Sequence, residues 1–345
     1  MQIKEGVSLA ELTTFKVGGP ARYFCSVENL VELREALGFA YANRLPWFVL
    51  GRGSNVLASD LGFAGLIIQI KLRGVEYDSI SDETDEVLVI VAAGEEWDPF
   101  VFNTLKRGFG GLENLSGIPG TVGATPIQNV GAYGVEVKDF IEWVEALDVR
   151  TGDLVRLPNE LCQFEYRGSF FKTAAGKNFI VTSAAFRLKR NTAPNLSYKD
   201  IANFFDGKTK PTLLEVRQAV LSIRAKKFPD IRKIGTAGSF FKNPIVSQEK
   251  FNELKKKFPD LPGFELPATS RRPPAVKIPL AWILDKVCNL KGFKSGPVGL
   301  YEAQPLVLVN LGGGTQREVQ ALAEKVAAEV KKSTGIDIEW EVQLL

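Results

Sequence analysis

The stretch "GLENLSGIPGTVGATPIQNVGAYG", Gly111 to Gly134, limits what this chain can fold into. Its six glycines and two prolines exclude one continuous helix or strand. It also carries Leu112, Leu115, Ile118, Val122, Ile127 and Val130, an apolar content that a disordered linker lacks. A long, ordered, irregular loop inside a compact domain is usually functional.

Regular elements are expected on both sides of it. "WFVL", "GLIIQIK", "VLVIVAAGE" and "FIVTSAAFRLK" read as strands, and "WDPFVFNTLKRG" as a short helix. "IEWVEALDVRTGDLVRL" reads as a hairpin around Thr151, Gly152 and Asp153. "PTLLEVRQAVLSIRAKKFPD" predicts a helix capped by Thr212 and Glu215, with Pro229 at its end. "TQREVQALAEKVAAEVKKSTG" predicts another, with Thr315 and Glu318 as a capping box and Gly335 as the stop. In the closing "IDIEWEVQLL", Ile336, Ile338, Trp340, Val342 and Leu344 alternate with polar residues, which predicts a strand with one buried face. Strands dispersed among helices imply an α+β protein. Its 345 residues suggest two or three domains. The texture changes near Phe228, where a separate domain is expected to begin.

Composition excludes several classes. Hydrophobic content of 45% and charged content of 24% are ordinary for a soluble globular protein. A net charge of +3 argues against nucleic acid or an anionic membrane as partner. "MQIKEGVSLAELTTF" has no apolar signal core, and "FAGLIIQIK" is too short to span a bilayer. Cys25, Cys162 and Cys288 are isolated and odd in number, which fits a reducing cytoplasm rather than a disulfide framework. The chain has no histidine, so no zinc or non-haem iron site, and no metal at all, is expected.

Two glycine loops suggest a phosphate-bearing ligand. "GRGSNVL" begins as G-x-G, but Val56 stands where a Rossmann fingerprint needs its third glycine. Its backbone N–H groups can still form an anion nest, with Ser54 and Asn55 adding donors. The same residues also suit a plain tight turn. The long loop adds Gly117, Gly120, Gly123, Gly131 and Gly134, with Gln128, Asn129 and Tyr133. Two such loops would suit both phosphates of a dinucleotide. A structural Ω-loop is the competing reading.

In this order the motifs resemble the UDP-N-acetylenolpyruvoylglucosamine reductase (MurB) family, flavin enzymes of bacterial peptidoglycan synthesis. The resemblance is carried by "TTFKVGGPARYF", "LGRGSNVL", the long loop, "YRGSFFK", "GTAGSFFKNP" and the closing "EWEV". It implies a two-part FAD-binding region of the vanillyl-alcohol-oxidase type and a smaller α+β domain for a UDP-sugar. The expected boundaries are 1–72 with 328–345, then 73–227, then 228–327. "PNLSYKDIANFF" looks like the tyrosine loop of the family's longer form.

The implied reaction takes hydride from NADPH through non-covalent FAD to UDP-N-acetylglucosamine enolpyruvate, giving UDP-N-acetylmuramate. The resemblance makes Ser239 the proton donor and pairs Arg167 with Glu341 to hold the developing enolate. It assigns to FAD the residues Gly51, Arg52, Gly53, Ser54, Asn55, Val56, Leu57, Gly117, Ile118, Pro119, Gly120, Gly123, Ala124, Gln128, Asn129, Gly131, Ala132, Tyr133, Ile180 and Arg224. It assigns to substrate Tyr198, Lys227, Asn243 and Gln304. The family often has a basic residue where this chain has Gln343. A monomer acting in the cytoplasm is expected. Two other readings stand beside this one. A carbohydrate or alcohol oxidase on the same flavin fold often tethers FAD through His or Cys, and no such residue lies in the glycine loops. A nucleotide-binding regulator would not need Arg167, Ser239 and Glu341 together.

Overall fold

A computed structural model describes residues 1–79, 85–206, 210–268 and 273–345. The chain divides into two compact units. The first comprises Met1–Val7, Ala21–Arg52 and Phe63–Ala225. The second comprises Ser8–Pro20, Gly53–Gly62 and Lys226–Leu345.

In the first unit, Pro20–Val27, Phe63–Ile70 and Trp47–Leu50 pair in parallel. The helix Leu30–Ala42 connects two of these strands, and the Asn29 side chain accepts from the Glu32 N–H at its start. It buries Leu33, Ala36, Leu37 and Ala40, which recur at helical spacing. A second sheet is antiparallel, in the order Leu154–Pro158, Ile141–Asp148, Phe179–Arg190, Glu86–Ala92, Val75–Ser79. In Glu86–Ala92 alternate residues Val87, Val89 and Val91 turn inward. They join a core with Trp97, Phe100 and Phe186, whose rings meet at 5.2–5.9 Å. The hairpin at Thr151, the helix Trp97–Lys106 and the Thr212–Glu215 cap all form as the sequence predicts.

In the second unit, Lys294–Ser295, Val298–Tyr301 and Gln304–Asn310 form a sheet. The helix Gln316–Thr334 has its Thr315/Glu318 capping box, and Gly335 is left-handed at its end. Asp60 accepts the N–H groups of Gln316 and Arg317, so a carboxylate from a distant loop also caps this helix. Val319, Leu322, Ala323, Val326 and Val330 face a core shared with Phe15, Leu57, Phe240 and Phe241. Among the described residues no helix is long and apolar enough to cross a membrane.

The closing segment departs from expectation. Only Gln343–Leu344 is a strand, and Leu344 is 52% exposed. Ile336 and Val342 are buried as the alternation predicts. The regular strand fails because the segment changes partners along its length. Glu341 N–H donates to Phe240, Gln343 N–H to Asn55, and Leu345 N–H to Leu57. No single neighbour supplies a continuous ladder.

These features predict two separable losses of stability. Leu322→Ala deletes a side chain that is 2% exposed and should cost about 2–5 kcal/mol. Thr315→Ala removes only the cap and should cost about 0.5–2 kcal/mol. Chemical denaturation followed by circular dichroism measures both, and equal costs would contradict this ordering.

Candidate functional site

In the first unit the long loop folds into short turns. Glu113–Leu115 and Val122–Ala124 are 3-10 turns, and Thr125–Gln128 is one helical turn ended by Asn129 at φ +43°. Gly123 lies flat on Ala93, where an added Cβ would sit 2.5 Å from the alanine methyl. Gly117 takes φ +72°, which favours glycine there. Gly51 meets the same loop, since a Cβ on it would lie 2.6 Å from Thr121 Oγ1. The Gly51 end of the first glycine loop therefore joins the second loop within this unit. Arg52 is exposed and its guanidinium pairs with Glu96.

The loop also builds the support for Arg167. Glu165 and Gly168 exchange both backbone hydrogen bonds, closing a two-residue turn around Tyr166 and Arg167. Arg167 occupies the position with φ +55°, which a non-glycine residue rarely adopts. Asn129, fully buried, donates from its amide to the Glu165 carbonyl and the Glu136 carboxylate. Ser169 Oγ donates to the Ile127 carbonyl. Arg167 Nη2 donates to the Gly131 carbonyl at 2.8 Å. Several bonds thus hold a strained residue in place, and strain held this way clusters at functional sites.

A second cluster surrounds Tyr133, which is 8% exposed at φ +50°. Its ring meets Tyr198 edge-on at 5.3 Å. Arg224 shares a side-chain hydrogen bond with Tyr133 and donates from Nε to the Gly117 carbonyl at 3.1 Å. Burial pulls the Arg224 guanidinium below its ordinary pKa, and Tyr133 and Asp98 oppose that pull. Ile118, Pro119, Gly120 and Ala124 lie on the half-buried or exposed side of the loop, with Gln128, Gly131 and Ala132 half-buried beyond. Ile180 sits in the sheet opposite Leu147 with its side chain in the core.

In the second unit, Gly53 takes φ +62°, and a Cβ there would lie 2.3 Å from the Leu12 carbonyl oxygen. Val56 and Leu57 are buried and pair in parallel with Gln343 and Leu344. Ser54 and Asn55 are half-buried between them. Asn55 Nδ2 donates to the Glu341 carbonyl at 3.2 Å, so a residue expected at the flavin here anchors the closing segment. Phe240 is fully buried, with its N–H on Leu306 and its carbonyl accepting from Glu341 N–H at 2.8 Å. Ser239 bridges Val307 immediately beside it. The structure therefore brings Ser239 and Glu341 onto adjoining segments. Asn243 Oδ1 caps the short helix Leu280–Trp282 by accepting from Leu280 N–H. Gln304 begins the strand that carries Val307, and its Oε1 is buried without a hydrogen-bond partner among the described residues. Lys227 is half-buried at the end of the helix Leu213–Lys227.

Sequence reasoning missed several polar residues that support the loop. Asp98 accepts the Gly117 N–H at 2.6 Å and both Arg217 nitrogens at 2.5 and 2.8 Å. Burial pushes the Asp98 carboxyl up, but Arg217 and the Gly117 N–H outweigh it and hold it below the usual carboxylate range. Ser116 and Asn114 are fully buried. Ser116 Oγ and Asn114 Oδ1 have no hydrogen-bond partner among the described residues. A signal for these two was present, since both are polar and flank Leu115 directly before the glycines. Half-exposed glycines beside an unsatisfied buried hydroxyl fit a site for a large cofactor. No cluster of His, Cys, Asp and Glu among the described residues could hold a metal.

The Asp98 arrangement predicts a pH dependence. A carboxyl whose folded pKa is depressed adds stability above its unfolded pKa, and that stability is lost as pH falls through the folded value. Wild type should exceed Asp98→Asn in stability at pH 7, and the gap should close as pH falls below about 4. Denaturation midpoints of both proteins across pH measure this, and a gap independent of pH would remove the charge from the explanation.

Comparison with known proteins accounts for both units. Residues 21–158 match a family described as an FAD binding domain. Residues 230–345 match the C-terminal domain of UDP-N-acetylenolpyruvoylglucosamine reductase. A UDP-N-acetylenolpyruvoylglucosamine reductase of Chromobacterium violaceum is 40% identical over 348 residues, covering 100% of this chain and 99% of that one. That of Bdellovibrio bacteriovorus is 42% identical over 343 residues and covers 99% of each. The crystal structure of the Thermus caldophilus enzyme superposes with a TM-score of 0.69 at 24% identity, covering 100% of this chain and 99% of that one, which supports the expected α+β fold. Since relatives of one name match it over its whole length, the chain belongs to the UDP-N-acetylenolpyruvoylglucosamine reductase family and is an FAD-dependent oxidoreductase of that type.

Proposed function

We propose that the chain reduces UDP-N-acetylglucosamine enolpyruvate to UDP-N-acetylmuramate with NADPH, as a cytoplasmic monomer in cell-wall synthesis. The observation that carries this reading is the bond from Glu341 N–H to the Phe240 carbonyl, which fixes the proposed acid Ser239 beside Glu341 on a buried aromatic anchor. On this reading residues 1–72 with 328–345 and residues 73–227 form the two FAD-binding domains, and residues 228–327 bind the UDP-sugar. The two glycine loops hold the cofactor through backbone N–H groups, with Arg224 beside them. Tyr198, Lys227, Asn243 and Gln304 hold the substrate. The unsatisfied Gln304 Oε1 supports its assignment, because a ligand donor would complete it.

Bound FAD supplies hydride, received from NADPH, to the methylene carbon of the enolpyruvyl group. Negative charge then develops on the neighbouring carbon and spreads into the carboxylate. Arg167 is permanently cationic and its planar fork suits that carboxylate. Its guanidinium is already oriented by the Gly131 carbonyl, so less reorganisation is needed as charge develops. Glu341 works with Arg167 on the same group. Ser239 gives its hydroxyl proton to the carbanionic carbon, which completes the lactyl ether. A hydroxyl is a weak acid, but this carbon is a very strong base, and no histidine competes for the role.

FAD is held without a covalent bond on this reading. Cys25 and Cys162 are fully buried, and burial pushes their thiols up to about 11 and about 12, which suppresses the thiolate a tether needs. Acid precipitation should release the yellow colour into the supernatant. Colour retained in the pellet would sink this part of the proposal.

The role of Ser239 is tested by stopped-flow on Ser239→Ala with each substrate separately. Reduction of FAD by NADPH needs no acid at the substrate carbon and should keep its rate. Transfer to the enolpyruvyl group should slow by about 10²–10⁴-fold. Equal slowing of both halves would make Ser239 a residue that holds the flavin or the fold.

A further inference from the structure

Asn114 lies in the glycine loop and is fully buried. Its Nδ2 donates to two carbonyls, that of Tyr133 at 3.0 Å and that of Asn195 at 3.1 Å. Tyr133 is the loop residue whose ring meets Tyr198. Asn195 opens the segment that carries Tyr198, three positions earlier. The neighbouring Glu113, 1% exposed, completes the grip, because its Oε1 accepts the Asn195 N–H at 3.2 Å while its Oε2 accepts the Gly111 N–H at 2.7 Å. Both backbone groups of Asn195 are therefore held by consecutive residues of the loop. Downstream, Ile201 and Phe205 pack with Tyr133 on the helix residues Val216, Ala219 and Val220.

The orientation of the Asn114 amide is informative. Two donor bonds fix its NH₂ group and leave Oδ1 buried without a partner among the described residues. A buried acceptor without a partner destabilises the fold. Leucine or alanine at this position would avoid that cost but could not bond either carbonyl. The amide is explained by what its NH₂ group joins.

We propose that Asn114, with Glu113, is a positioning residue that ties the flavin loop to the tyrosine segment, so that the loop sets where Tyr198 meets substrate. Tyr133 serves both sides of the tie. Its hydroxyl bonds Arg224 next to Gly117, while its carbonyl and its ring address the Tyr198 segment. The inference rests on the reading of Tyr198 as a substrate residue given above.

The test is a double-mutant cycle on the FAD-loaded enzyme, combined with hydrogen exchange. Asn114→Ala should raise KM for UDP-N-acetylglucosamine enolpyruvate by about tenfold, the scale of one or two lost hydrogen bonds. The turnover number at saturating substrate should change less. Because Asn114 acts through Tyr198, Asn114→Ala should add little further effect in a Tyr198→Ala background. Exchange over residues 193–205 should quicken in Asn114→Ala without substrate, while the strand Phe179–Arg190 stays protected. Additive KM effects, or unchanged exchange over 193–205, would overturn the proposal. Should Asn114→Ala lose protection in that strand as well, Glu113→Gln replaces it. The amide oxygen of Gln can accept only one of the two N–H groups as Glu113 does, so exchange should quicken at Gly111 or at 195–198, and unchanged exchange at both would also overturn the proposal. If Tyr198→Ala alone leaves KM unchanged, the substrate reading of Tyr198 fails, and the exchange data still decide whether Asn114 holds the segment.

Discussion

Burial of Phe240 organises the second unit. Its ring is fully enclosed, with Phe241, Trp340 and Phe15 at centroid distances of 5.2, 5.1 and 6.3 Å. Removing a side chain of this size from water stabilises by about 1.5–3 kcal/mol, and ordered aromatic pairs add to it. More consequential is what the ring fixes around it. With the side chain locked, the Phe240 backbone can bond Leu306 on one side and Glu341 on the other. Ser239 then has one placement, next to that bond, and Glu341 has another. The two aromatics after the serine are the anchor that fixes where its small hydroxyl stands.

Arg167 in the first unit is held by the opposite strategy. It is not buried in an apolar pocket but placed at a left-handed turn position that costs of order 1–3 kcal/mol for a non-glycine residue. Asn129, Ser169 and Gly131 over-determine the turn through hydrogen bonds from side chain to backbone. A glycine at 167 would relieve the strain and lose the cation. The chain keeps the cation and supports the strain with buried polar contacts.

The long loop is braced in the same way, by side chains bonded to backbone. Asp98 and Arg217 clamp Gly117, Asn129 fixes the Arg167 turn, and Asn114 with Glu113 grips the tyrosine segment. These polar residues replace the regular backbone ladder that glycine and proline deny to the loop. A segment of short turns is thereby held at several points, while Ile118, Pro119, Gly120 and Ala124 stay half-buried or exposed.

Local signals were legible from the residues alone. The Thr212–Glu215 and Thr315–Glu318 boxes, the Gly335 stop, the strand Glu86–Ala92 and the irregularity of Gly111–Gly134 depend on neighbours within about four positions, so the sequence determined them. The order of the glycine loops with "YRGSFFK" and "GSFFKNP" also pointed to the family. Tertiary structure decided how distant segments pair. Ser8–Pro20 and Gly53–Gly62 group with the last third of the chain, and the closing residues divide their backbone bonds among Phe240, Asn55 and Leu57, which leaves Leu344 exposed despite its place in an alternating pattern. Asn114 reads as an ordinary loop polar residue until Tyr133 and Asn195 are seen beside it. Period and propensity are properties of neighbouring residues. A bond between carbonyls and amides tens or hundreds of positions apart leaves no local trace, because any residue can supply the backbone group and only the packed core decides which one arrives.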